Sequence, residues 1–162
     1  MVIMKNSAIP FSIEMQELFL EAPVLIALAA AERDRKKKEE FKRMAHQLFF
    51  AKTTDGYEEL EAKLNQAEPF FDETFKRIDR VLPADLGAKN TTIVLWISEI
   101  VNNEHSLPSD EMIRWRERLL KYGSFLTGSG EEVSDKNIEP LRTIIQQQNG
   151  EIDWETLLHF YN

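Results

Sequence analysis

With 162 residues, 43% of them apolar and 30% charged, the chain has the size and composition of one globular domain. Its 28 acids against 20 bases leave a net charge of −8, which repels phosphate backbones and anionic lipid and sets nucleic acid and membrane surfaces aside as partners. The absence of cysteine excludes disulfides, thiolate nucleophiles and cysteine-held metals.

The opening Met1 to Asn6 lacks the form of a secretory signal, and the longest apolar run, Pro23 to Ala31, falls well short of the roughly 20 residues that span a bilayer. The expectation is a cytoplasmic protein with no membrane span. Ser12 can cap a first helix carrying Ile13, Met15, Leu18, Phe19 and Leu20. Proline suits a first helical turn and disrupts an interior, so a break is predicted at Ala22, with a second helix from Pro23 to about Glu32. Being apolar on nearly every side, that helix should be central. Lys36 to Ala51 forms an amphipathic helix with Phe41, Met44, Ala45, Leu48 and Phe49 along one side.

After a turn at Thr53 to Gly56, Tyr57, Leu60 and Leu64 trace a helical stripe, and Phe71, Phe75, Ile78 and Leu82 trace another from Pro69 to Pro83. Lys89 to Asn103 is rich in β-branched residues, which a strand would also accept. Its length and the Ile93, Ile97, Ile100 spacing favour a helix, expected to be central too. Ser109 is the predicted cap of a helix through Met112, Ile113, Trp115, Arg116, Leu119 and Leu120. The stretch from Tyr122 to Asp135, with Gly123, Gly128 and Gly130, reads as an ordered acidic turn. Ser134 or Asn137 can cap the helix that follows, the latter placing Pro140 in its first turn, and Asn149-Gly150 closes it. Asp153 caps a short last helix. The fold class is therefore all-α: one domain over residues 1–162, with about seven to nine short helices.

A helix, an acidic loop and a helix occur from Pro23 through Ala51 and again from Met112 through Gln148, suggesting two helix-loop-helix repeats. Asn102 to Glu111 is a third acidic connection. Ala29-Ala30-Ala31-Glu32-Arg33 leading to Glu39, the run from Tyr122 to Ser134, and the Phe11 to Met15 opening together resemble the TerB-like family of tellurite-resistance helical proteins. In that family two helix-loop-helix units carry acidic loops. The resemblance implies a non-enzymatic stress-response or interaction module that binds a protein partner. It also implies a divalent cation held by acids at the positions of Glu32, Glu39, Glu131, Glu132 and Asp135. The family's loop Asp-Gly is Glu32-Arg33 here, and Asn137 stands where an acid would follow Ser134 by three.

Oxygen ligation of calcium or magnesium needs several carboxylates or carbonyls converging at about 2.0 to 2.6 Å. Glu131, Glu132, Asp135 and Glu139 offer such oxygens, although acids near a helix start also simply favour its positive end. The alternative function is a metal-dependent enzyme using the same acidic loops. His46, His105 and His159 are preceded at three residues by Arg43, Asn102 and Thr156, so the Glu-x-x-His pattern of carboxylate di-metal bundles is missing. Ser124 to Gly130 lacks the Gly-Lys-Ser/Thr ending of a phosphate loop. The basic run from Arg33 through Arg43 is read as a solvated helix face paired with Glu39 and Glu40, and the Phe and Trp stripes as core, with Trp154 to Tyr161 a surface for a partner as the alternative.

Overall fold

Ser12 starts the first helix as expected, its hydroxyl accepting from the Met15 amide at 3.2 Å. The computed structural model describes residues 12–31, 38–51, 58–103, 107–128, 135–141 and 154–158. All regular structure among them is helical, with no strand. The helices are α1 (Ile13–Gln16), α2 (Ala22–Ala30), α3 (Lys38–Phe49), α4 (Glu58–Ala67), α5 (Phe71–Val81), α6 (Leu86–Asn102), α7 (Ser109–Leu126) and α8 (Trp154–Leu157). Short 3-10 turns span Glu68–Phe70 and Glu139–Leu141.

The predicted break before Pro23 does not occur. Glu21 and Ala22 keep right-handed helical dihedrals, and the chain instead widens into a π-helical turn over Glu17–Glu21. The Ala22 amide donates to the Glu17 carbonyl, one residue further back than in an α-helix. In that register Pro23 would serve the Leu18 carbonyl but has no N–H, and the Trp115 indole N–H donates to that carbonyl at 2.8 Å in its place. Proline's lost donor is thus supplied from α7 rather than by ending the helix.

Every residue of α2 is buried, and α3, α5, α6 and α7 all pack on it. The expectation of a central α2 holds; α6 corrects its counterpart. That helix buries Ile93, Ile97, Ile100 and Val101 but leaves Leu95 65% exposed, so it lies at the periphery. In α7 the buried stripe is Glu111, Met112, Trp115, Arg118, Leu119 and Tyr122, while Ile113 faces solvent. Pro108, not Ser109, occupies the cap position of α7.

Gly123 is not part of a turn. It lies within α7 and faces the Ile26 side chain of α2, which an added Cβ would meet at 3.5 Å, an ordinary contact distance. The turn begins at Thr127, and Gly128 adopts φ 84°, the left-handed conformation that closes a helix. Thr127 is buried beneath Trp154, whose indole N–H donates to its hydroxyl at 2.8 Å, fastening α8 to the end of α7. The predicted turn at residues 53–56, the caps at Ser134 and Asp153, and the Asn149-Gly150 stop lie outside the described residues. No helix among the described residues is long and apolar enough to cross a membrane.

Candidate functional site

A surface cleft of about 630 Å3 opens between α3 and the corner joining α4 to α5, lined by Glu39, Lys42, Arg43, His46, Glu68, Pro69 and Asp72. The α3 members recur at helical spacing and so share a face, opposite the buried Phe41, Met44, Ala45 and Leu48. Pro69, early in the 3-10 turn, and the turn itself bring Glu68 and Asp72 to the facing wall.

Charges alternate across this cleft. His46 Nε2 lies 3.1 Å from Glu68 Oε2, and its ring rests against Phe50 and Phe71, with centroids 5.6 and 5.4 Å away. The Lys42 ammonium lies 2.8 Å from Glu39, 3.9 Å from Asp72 and 5.6 Å from the Phe75 ring centre. Lys42 donates a hydrogen bond to Glu39 and holds its carboxyl below the ordinary glutamate value. Lys38 donates to Asp79 at 3.1 Å and clasps α3 to α5. Arg43 is exposed, and among the described residues its guanidinium has no partner. That planar fork suits a carboxylate arriving from outside.

Asp135 sits elsewhere, below the end of α7. Its Oδ1 accepts from the Asn137 and Ile138 amides, both at 2.9 Å, and its Oδ2 from the Tyr122 hydroxyl at 2.9 Å and Lys121 at 3.2 Å. Asp135 therefore caps this segment, which over the described residues is a turn leading into the 3-10 turn Glu139–Leu141 and not the start of the helix that Ser134 or Asn137 was expected to cap. Burial pushes its carboxyl up, but the donors Tyr122, Ile138, Lys121 and Asn137 outweigh it and hold the group below the usual aspartate value. Burial first, and then the hydrogen bond and charge of Asp135, push the Tyr122 phenol up to about 12, against the opposing hydrogen bond from Asn137.

Of the five acids expected to hold a cation, Glu32, Glu131 and Glu132 lie outside the described residues. The other two are far apart. Glu39 stands in the first turn of α3, whereas Asp135 bonds Tyr122, which packs on Phe49 at the other end of that helix. Ten residues of helix separate Glu39 from Phe49, about 15 Å. Among the described residues no group of three or more His, Asp or Glu is placed to hold a metal. Glu39 is spent on Lys42, and Asp135 on four donors.

Composition gave little notice of a set of inward polar groups. Arg118 donates to Glu61 at 2.7 Å and to the Phe49 carbonyl at 3.2 Å. Lys63 donates to Glu111 Oε1 at 2.7 Å, leaving Oε2 buried without a hydrogen-bond partner among the described residues. Glu21 accepts from the Trp96 indole at 3.0 Å and lies 3.5 Å from Arg77. A signal existed for one pair: Glu111, Trp115, Arg118 and Tyr122 recur at steps of four, three and four, which places an acid and a base on the buried stripe of α7. Comparisons with protein-family models, curated proteins and solved structures give no match for this chain.

Proposed function

We propose that this chain is a non-enzymatic, TerB-like interaction module that binds a protein partner through the cleft between α3 and the α4–α5 corner. The observation that carries the reading is the exposed guanidinium of Arg43, unpaired among the described residues, beside Lys42 and His46 and facing Glu68 and Asp72. A partner segment with an acid set against Arg43 and a base against Asp72 completes both charges. The inward acids and bases support the same reading, because they spend their polar chemistry on joining helices. A stress-response role, with a divalent cation on Glu131 and Glu132, rests on the resemblance to acidic family loops alone.

The test places a photo-crosslinking amino acid at Gln47, exposed one turn along α3 from Arg43, and at Arg80, exposed near the far end of α5, as a control. A partner captured selectively at position 47, whose binding falls at least tenfold on Arg43→Glu, supports the reading; equal capture at both positions defeats it. The cation is tested separately by thermal melts in millimolar calcium or magnesium. A bound ion at one hundred times its dissociation constant adds about 2.7 kcal/mol, and that gain disappears in Glu131→Gln/Glu132→Gln. An unchanged melting temperature in both ions removes the cation from the proposal.

A further inference from the structure

Helix α4 is attached to the body differently from its neighbours. α3, α5, α6 and α7 pack on α2, whereas α4 lies against the π turn Glu17–Glu21 and the 3-10 turn that follows it. The side chains it buries are Leu60, Leu64 and Ala67. By comparison α3 buries Phe41, Met44, Ala45, Leu48 and Phe49, and α5 buries Phe71, Phe75 and Ile78. Less apolar surface withdrawn from water means a weaker hydrophobic hold.

The rest of the attachment is ionic. Glu61 accepts from Arg118 at 2.7 Å, Lys63 donates to Glu111 at 2.7 Å, and both partners stand on α7. Glu111 is largely stripped of water, its side chain 4% exposed, yet its Oε2 has no hydrogen-bond partner among the described residues. Attraction within a buried ion pair offsets the loss of hydration when the remaining oxygens are also satisfied, and here one is not. When α4 moves away from α7, Glu61, Lys63, Glu111 and Arg118 regain water together, and Arg118 keeps the Phe49 carbonyl it reaches at 3.2 Å. What opposes that movement is chiefly the exposure of two leucines and one alanine.

The joint at the end of α4 permits it. Pro69 has no N–H, so the helical hydrogen bond that would tie position 69 back to Asn65 is missing where the α-helix gives way to the 3-10 turn. On the far side of that joint His46 holds Glu68 at 3.1 Å. We propose that α4 is a releasable strap, swinging out as a unit about the Ala67–Glu68 joint while the cleft wall stays in place. The open form presents Glu111 and Arg118, an acid and a base on one face of α7, as a charged surface that the closed form hides.

The experiment is native-state hydrogen exchange on the full chain at pH 7, under conditions where reclosing outruns exchange. The amides of α4 should open together, about 100-fold more often than those of α2 and α3. Because the chain has no cysteine, Leu60→Cys and Leu48→Cys give matched thiol probes at two fully buried leucines, one on α4 and one on α3. With circular dichroism showing that each variant folds, the thiol at position 60 should be labelled about 100-fold faster than that at position 48. Lys63→Met/Glu111→Leu, which replaces the incompletely satisfied pair by apolar side chains, should slow the opening of α4 about tenfold. Exchange of α4 only together with α2 and α3, equal labelling of the two thiols, or an opening that the double variant leaves unslowed would each overturn the proposal.

Discussion

The indole N–H of Trp115 donates to the carbonyl of Leu18 across 97 positions of sequence, filling the place of the amide that Pro23 lacks. Both groups are buried, so neither can turn to water when the other is removed.

Trp115→Phe keeps a ring in the core but leaves the Leu18 carbonyl without its donor and opens space beside Phe19, 5.2 Å away between ring centres. A loss of about 2–4 kcal/mol is expected in urea melts. Pro23→Ala restores a backbone N–H, so the double variant should recover part of that loss. Strictly additive effects would show that the two groups do not serve one carbonyl.

Acid should reveal the role of Asp135. Its folded value lies below the unfolded one, so its contribution is complete above about pH 4, the ordinary aspartate range, and is lost as pH falls through the folded value. Asp135→Asn should therefore be less stable than the wild type at pH 7, and the gap should close below about pH 4. The phenol of Tyr122 acts at the other extreme. Raised to about 12, it favours the folded state below about pH 10 and loses that contribution as pH rises through 12. Ultraviolet titration of the folded protein should show one tyrosine ionising late, and Tyr122→Phe should remove that step.

Two glycines should respond in opposite directions to alanine. At Gly123 the new Cβ meets Ile26 at ordinary contact distance in helical backbone, so Gly123→Ala should be neutral or gain up to about 1 kcal/mol. At Gly128, with φ 84°, the same change should cost about 1–2 kcal/mol. Thermal melts of the two single variants settle the comparison; a loss at Gly123 equal to that at Gly128 would contradict the assignment of Gly123 to the helix.

The Arg118–Glu61 pair is shielded, with side chains only 7% and 17% exposed. Arg118→Met removes the buried donor shared by Glu61 and the Phe49 carbonyl and should cost about 3–5 kcal/mol. Adding Glu61→Gln should return part of that loss, and the coupling between the two charges should change little with added salt. Equal stability of the single and double variants would show that the charges are not coupled.

The helices were legible in the sequence because their apolar residues follow the helical period, as at Phe41, Met44, Ala45 and Leu48 or at Phe71, Phe75 and Ile78. What eluded that reading depended on distant neighbours. Pro23 looked like a stop because the donor that rescues it, Trp115, sits on another helix. Gly123 looked like a turn because glycine marks turns, whereas its burial beside Ile26 inside α7 is tertiary. At the candidate cleft, Glu39 and His46 were noticed singly. The pairing of His46 with Glu68 and of Lys42 with both Glu39 and Asp72 needed the corner between α4 and α5, which spacing along one helix cannot reveal.

The π turn also has the character of a phase shifter. A residue contributed to a wider turn advances the chain with less rotation, so the helix face set by Ser12 to Gln16 is not the face that continues through α2. This is how four consecutive residues, Leu18, Phe19, Leu20 and Glu21, can all be buried before a helix that is itself surrounded. Deleting one residue between Glu17 and Glu21 would let the wider turn return to ordinary α winding with the faces before and after it in nearly the same relation, because the π turn holds one more residue for about one turn of rotation. Glu17, which accepts from Asn103 at 3.2 Å, ties the near side of that turn to the end of α6. The segment is thus the one place in this helix where a single-residue deletion leaves both flanking faces in register, whereas the same deletion within α2 would turn one buried face against another.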